Sequence, residues 1–267
     1  MTDLLEQTPW LIPIILVATG LAAGWIDAIV GGGGLLQLSM LLLMPGITPL
    51  QALAANKFGS ISGTTVSSIT YARKIRPEPR TIITMAIVAF CASLLGATVA
   101  TILPGKVLLP LIIAALLVVL ALVVFRPKLG SETEAAPPQR SWLSAIKASF
   151  VGLAVGFYDG MLGPGTGTFL TMGLVLVLGY SFLRATANAK IVNWSTNLAS
   201  LVVFIPIGAV RWDIVLWVAA GNMCGAFLGA RMALKHGSGF IRLLLTIVGA
   251  MLLVMLSIDM VNSWNEA

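Results

Sequence analysis

Asp27, Lys57, Asp159, Arg184 and Lys190 are charged residues set inside long apolar stretches. An ionisable side chain in such a setting marks a substrate or proton path by default. Lys57 and Lys190 each follow an asparagine, in Ala55-Asn56-Lys57 and Ala187-Asn188-Ala189-Lys190. An ammonium supplies positive charge and three donors, and an amide supplies two more, a combination that suits an oxyanion. The plainer readings of the lysines are an ion pair with the aspartate of their own half of the chain, or snorkelling to the interface. Arg184, at the start of a predicted helix, fits snorkelling better. For Asp27 and Asp159 three roles stay open: proton carrier, counter-ion of a lysine, or solvated helix end.

Two glycine runs accompany these charges, Gly31-Gly32-Gly33-Gly34 and Gly163-Pro164-Gly165-Thr166-Gly167. Glycine costs a helix about 1 kcal/mol per residue and proline about 3, so both runs predict a helix break. Interrupted backbone at membrane depth is tolerated only where it is buried in protein or lines a cavity. There the freed N–H groups and the positive end of the following helix favour an anion. Close helix packing or an ordinary turn outside the membrane is the alternative. Breaks at both equivalent positions favour the site, giving Gly31, Gly32, Gly33, Gly34, Gly163, Gly165 and Gly167 as candidate binding residues beside Asn56, Lys57, Asn188 and Lys190. A nucleotide loop is excluded, since neither run follows a strand or ends in Gly-Lys-Ser/Thr.

The elements that position these residues are apolar runs bounded by charges, and about 18 to 20 residues suffice to span a bilayer as a helix. The first half offers runs at 10–30, 35–44, 51–71, 81–103 and 107–125, the second at 142–162, 168–178, 185–205, 214–233 and 240–258. The runs at 35–44 and 168–178 reach only ~16 Å at 1.5 Å per residue, half of a ~30 Å core. They predict half-helices of a re-entrant hairpin or steeply tilted pieces, so the count of segments is eight or ten. Residues 126–141, rich in charge and proline, predict a solvated linker between a first membrane repeat at 1–125 and a second at 142–267.

The halves match in sequence as well as in count. Gly24-x-x-Asp27-x-x-x-Gly31-x-Gly33 recurs 132 positions later as Gly156-x-x-Asp159-x-x-x-Gly163-x-Gly165. Asn56 aligns with Asn188 at the same offset, and Lys57 aligns with Lys190 after one inserted residue. Such duplication is a habit of secondary transporters. Basic residues cluster in Arg73 to Arg80, around the linker, and in Arg231 to Arg242, which the positive-inside rule places in the cytoplasm. The basic connection follows the third run of the first half but the fourth of the second. The expected architecture is therefore an all-α polytopic bundle of two inverted repeats with broken or re-entrant helices, both termini outside.

Composition sets the class. Of 267 residues, 58% are hydrophobic and only 10% charged, against about 25% charged in soluble proteins. With a mean hydropathy of +0.99, this excludes an ordinary cytoplasmic enzyme or a nucleic-acid reader despite the net charge of +6. Asp3 and Glu6 replace the basic start of a signal peptide, so the first apolar run is expected to stay in the protein. Two cysteines are too few for a disulfide framework. Cys91 and Cys224 occupy matching helix positions, where a buried thiol usually acts as a small hydrophobe rather than a reactive group. His236 is the only histidine and lies in a basic connection, so no intramembrane histidine cage for a metal can be built. No cofactor is expected. Trp10, Trp142, Trp212 and Trp264 sit near segment ends, as an interfacial belt requires.

In Gly24 to Gly34, Pro45-Gly46-Ile47-Thr48-Pro49 and Ala52 to Lys57, with a weaker copy in Gly156 to Gly167 and Ala185 to Lys190, the chain resembles the TauE/SafE family of sulfite exporters and related anion permeases. The resemblance runs from about Trp10 to Ile258. It implies a multi-pass bacterial inner-membrane permease for small sulfur-containing or organic anions such as sulfite, sulfoacetate or other sulfonates. Pro164 and Thr166 depart from the first glycine motif. The expected partners are a small anionic substrate and membrane lipid, with a homodimer compatible and nucleic acid excluded. An anion channel, separable by saturation and counterflow, and a membrane protein that docks a partner without transport are the rival functions. No Ser/His pair, His-Glu metal motif or nucleophile elbow supports an enzyme.

Overall fold

The computed structural model describes residues 10–102 and 141–265, and among these the chain is all-helical. Eight helices follow in order: α1 Leu11–Val30, α2 Gly33–Leu42, α3 Pro49–Ala72, α4 Pro79–Ala100, α5 Trp142–Met161, α6 Thr166–Leu178, α7 Phe182–Phe204 and α8 Trp212–Asn265. The run at 107–125 and nearly all of the linker at 126–141 lie outside the described residues. The two runs predicted at 214–233 and 240–258 both lie in α8, as two helical stretches joined across a kink at Gly237, whose φ of +73° and ψ of −165° are not helical.

Local chemistry sets the helix starts. Thr48 and Gln51 form a reciprocal capping box ahead of Pro49, so α3 begins sharply. Ser181 caps α7 by accepting from the Arg184 N–H, and Ser141 caps α5 by accepting from Ser144. Both predicted breaks are present. Gly31, left-handed at φ +83°, ends α1, and the chain between α5 and α6 passes through left-handed Gly163 and Gly165.

The most extensive packing crosses between halves: α1 lies on α8, and α4 lies on α5. Small residues make these approaches feasible. A Cβ on Gly20 or Gly24 of α1 would fall 2.4 or 2.2 Å from the carbonyls of Val218 or Asn222 on α8. A Cβ on Gly156 or Gly160 of α5 would fall 2.5 or 2.1 Å from those of Ala89 or Ser93 on α4. The glycines at the head of the repeated motif are therefore packing residues.

Among the described residues three helices are long and apolar enough to cross a membrane: Leu11–Val30, Pro79–Ala100 and Trp212–Ile247. At 24 and 23 residues α3 and α7 are also long enough, but they carry buried polar side chains, including Asn56, Lys57, Asn188, Lys190, Asn193 and Asn197, which lower their hydropathy. Large apolar side chains such as Ile83, Ile87, Leu95 and Phe150 are exposed instead. Polar inside and apolar outside is what a lipid solvent selects. Cys91 and Cys224 follow this outer pattern. Both are exposed, correcting the expectation of burial, because Cys91 continues the stripe of Ile83, Ile87 and Leu95, and Cys224 that of Leu216 and Leu228.

Candidate functional site

Lys57 reaches from α3 to the end of α5, where Nζ donates to Asp159 Oδ1 at 2.7 Å and to the Asp159 backbone carbonyl. Lys190 reaches from α7 to the end of α1 in the same way, donating to Asp27 Oδ2 at 2.9 Å and to the Asp27 carbonyl. Each lysine thus pairs with the aspartate of the other half, not of its own as the sequence suggested. The location has a physical cause. A break frees the last carbonyls of the preceding helix, and the negative end of the helix dipole attracts a cation there.

The two pairs differ in their surroundings. Asp159 is 1% exposed; its Oδ1 also accepts from the Thr166 hydroxyl at 2.7 Å, while its Oδ2 is buried without a hydrogen-bond partner. Asp27 is 13% exposed. At the position 132 residues before Thr166 stands Gly34, which has no hydroxyl to offer.

The breaks themselves meet. A Cβ on Gly31 would fall 2.2 Å from the Gly167 backbone, so only glycine lets the two connections touch. Gly163 lies against the Lys57 ammonium, and Gly34 faces Asn56 and Pro164. Gly32 and Gly165 cap the starts of α2 and α6, and Gly33 is packed onto the Ala23 carbonyl of α1. Thr168 donates to the Val30 carbonyl at 2.7 Å, tying the second tip to the first. Tyr71 and Tyr158 hold the tips through bonds to the carbonyls of Ala28 and Pro164 at 2.9 and 2.6 Å.

The asparagines are not equivalent. Lys57 and Lys190 each stand nine residues after their helix caps, Thr48 and Ser181, whereas Asn56 stands eight after and Asn188 seven. The inserted residue therefore falls ahead of α7 rather than between Asn188 and Lys190, and the two amides project about 100° apart around their helices. Asn56 joins a buried amide network, accepting from Gln37, whose own oxygen accepts from Asn222 at 2.7 Å. Asn188 donates to the Arg184 carbonyl at 2.9 Å, and its Oδ1 is buried without a partner.

Comparison with known proteins matches residues 16–256 to the family described as Sulfite exporter TauE/SafE. The chain belongs to the TauE/SafE family. Relatives include a probable membrane transporter protein of Sinorhizobium sp, 37% identical over 89% of this chain and 89% of that one. A probable membrane transporter protein of Haemophilus influenzae is 33% identical over 89% and 91% of the two chains. The Escherichia coli probable membrane transporter protein YfcA is 32% identical over 92% and 89%. No solved structure matches. TauE/SafE membership and the apolar helices together make this a multi-pass bacterial membrane protein.

Several buried polar residues escape a search for charge inside apolar runs. Gln37 and Asn222 are neutral, yet each is a lone amide inside an apolar run, and that oddity was the signal available. Thr166 was visible only as a departure from the first glycine run. Glu78 and Tyr180 carried no signal, for Glu78 sits in a basic connection where an acid reads as solvated. It is in fact 3% exposed, with Oε2 accepting from the Tyr180 hydroxyl at 2.6 Å and Oε1 buried without a partner. Burial, and then the bond to Glu78, push the Tyr180 phenol well above its usual range, so it remains a donor. Arg184 stacks its guanidinium 4.6 Å from the Tyr180 ring centre rather than extending freely to the interface. Among the described residues no group of three metal-ligating side chains occurs.

Proposed function

We propose that this protein is a secondary transporter, not an enzyme, that moves a small sulfur-containing or organic anion, such as sulfite, sulfoacetate or another sulfonate, by alternating access. The observation that carries the reading is the crossed pair of buried lysines, each held by an aspartate where one half's broken helix meets the other half. A buried ammonium is tolerated only with a compensating anion. In the empty protein that anion is an aspartate; in the loaded one it is the substrate.

Exchange between the two needs the displaced aspartate to lose its charge, and a proton does this. Protonation of Asp27, the more exposed acid, releases Lys190 to an incoming anion without leaving a net charge in the membrane. The anion is then held by Lys190 or Lys57, by Asn188 or Asn56, and by backbone N–H groups of Gly31 to Gly34 and Gly163 to Gly167. Anion and proton leave together, and the ion pair re-forms. The family description, which names sulfite, supports the substrate class.

Inverted repeats with re-entrant helices supply the symmetry for two-sided access, and three features favour them. The start of α3 packs in one apolar cluster with the end of α7, around Ala52 and Phe204, while the start of α7 packs in another with the end of α3, around Phe182 and Tyr71. Late in α2, Leu41 shares the cluster of Leu16 near the start of α1, as Leu178 at the end of α6 shares that of Ala148 in α5. The lysine pairs cross reciprocally between the halves. Rocking one half against the other would then expose each pair in turn. Tracer flux of sulfite and sulfoacetate in proteoliposomes tests the proposal. Saturable uptake with counterflow, driven by a pH gradient and lost in Lys190→Ala, is expected; flux without saturation or counterflow would make the protein a channel.

A further inference from the structure

Three connections interlock on the face that carries Arg73, Lys74, Arg76 and Arg80. Glu78, which directly precedes α4 of the first half, meets Tyr180, between α6 and α7 of the second. The hydroxyl of Ser238, beside the α8 kink, accepts from the Leu183 N–H at 2.9 Å, drawing the kink against the same α6–α7 connection. Arg184 closes over the Tyr180 ring.

Among the described residues the opposite face lacks a counterpart. Counted from the helix caps, the residues matching Tyr180 and Glu78 are Ile47 and Arg211. Isoleucine has no donor. Arg211 is 41% exposed and pairs with Asp213 two residues away rather than with the other half. Among the described residues the buried polar tie therefore belongs to one face.

The energetics suit a contact made to be broken. A buried carboxylate with one oxygen unpartnered carries an unpaid desolvation cost, and that cost vanishes when water reaches it. Parting Glu78 from Tyr180 loses one hydrogen bond but hydrates both carboxylate oxygens, so the closed and open arrangements lie close in free energy. A fully satisfied pair would hold the halves together too firmly to cycle.

We propose that Glu78 and Tyr180 form the latch that closes the basic face between the two halves, and that their parting opens this face while the other closes. The inference rests on the alternating-access reading above. The test is the rate at which a cationic trimethylammonium methanethiosulfonate labels a single cysteine in the full-length protein, in permeabilised membranes and without added sulfite or sulfonate, the cysteine forming a mixed disulfide and methanesulfinate leaving. The outward-facing Cys91 and Cys224 are first replaced by alanine. Ala185 in α7, fully buried behind the latch, and Ala52 in α3, its fully buried match by cap position, are each changed to cysteine.

With Ala185→Cys, Tyr180→Phe should raise labelling about tenfold, since the buried hydrogen bond between the halves is removed while the ring under Arg184 stays. Glu78→Gln keeps an acceptor oxygen for Tyr180 and should stay near the parent rate. With Ala52→Cys, neither change should raise labelling. An unchanged rate at Ala185→Cys in Tyr180→Phe would overturn the latch. So would an equal rise at both reporters, which would make the contact a support of the fold. Absence of anion flux from the parent would count against the transport reading alone, because the labelling is read without added sulfite or sulfonate.

Discussion

Lys57→Ala measures what the buried pair is worth. Removing the ammonium leaves Asp159 at 1% exposure, with the Thr166 hydroxyl on Oδ1 and nothing on Oδ2. Leaving one partner of a buried ion pair uncompensated costs about 3–5 kcal/mol. For a chain of this size about 2–4 °C of melting temperature accompanies each kcal/mol, so the midpoint should fall by roughly 6–20 °C. The double variant Lys57→Ala with Asp159→Asn removes both charges and should be more stable than Lys57→Ala alone, a non-additivity expected of groups in contact. Lys190→Ala should cost less, about 1–3 kcal/mol, because Asp27 at 13% exposure can recruit water. The assay is thermal unfolding of detergent-solubilised protein at one fixed heating rate, since membrane proteins often unfold irreversibly. Two results would refute the reasoning: Lys57→Ala as stable as the parent, or a double variant less stable than both singles.

Reporter fusions at Ala267 should face outward and fusions in 126–141 inward; a cytoplasmic Ala267 would refute the orientation drawn from the basic clusters. Gly31→Ala should abolish folded protein, judged by size-exclusion of a fluorescent fusion, because its Cβ would enter the Gly167 backbone and its φ is +83°. Gly34→Ala should fold normally, since its nearest neighbour is Asn56 Nδ2 at 3.5 Å; a thermal-shift titration with sulfite should show weaker stabilisation if Asn56 contacts the anion. Replacing both Cys91 and Cys224 by alanine should leave melting temperature and flux unchanged, whereas loss of flux would revive thiol chemistry.

The sequence carried the parts of this site that are unusual for a membrane and hid those that depend on partnership. Charge in an apolar run is rare enough to be read directly, which exposed Asp27, Lys57, Asp159 and Lys190. Glycine and proline are poor enough in helices that both breaks were located to within a residue or two. Which aspartate each lysine would meet was not legible, because it depends on how α3 and α7 lie against the helix ends of the opposite half. The one-residue insertion was misplaced for a related reason. Matching Asn56 to Asn188 maximised identity, but the helix caps show that Lys57 and Lys190 share a position and the asparagines do not. Gly33 cannot be enlarged to test binding in a folded protein, for a Cβ there would fall 1.9 Å from the Ala23 carbonyl.

Crossing the ion pairs between halves has a consequence that pairing within a half would not. A lysine held by its own half's aspartate would travel with it, and substrate could exchange there without any change in how the halves sit. Lys57 and Lys190 instead bind each half to the other, so replacing an aspartate by a diffusible anion also removes a contact between the halves. Ligand exchange and relative motion then share one free energy, and an anion shifts the equilibrium only by its differential affinity for the two arrangements. The asymmetry at Thr166 gives the two exchanges unequal weight. At Asp159 the threonine hydroxyl remains a partner whatever the lysine does, whereas at Asp27 glycine stands in its place. If this coupling holds, Thr166→Val, which removes the hydroxyl 2.7 Å from Asp159 Oδ1, should speed exchange at the Lys57 pair and raise the maximal flux, because one of the groups that hold the aspartate is gone. Unaltered flux in a folded Thr166→Val protein would separate ligand exchange from that difference between the halves.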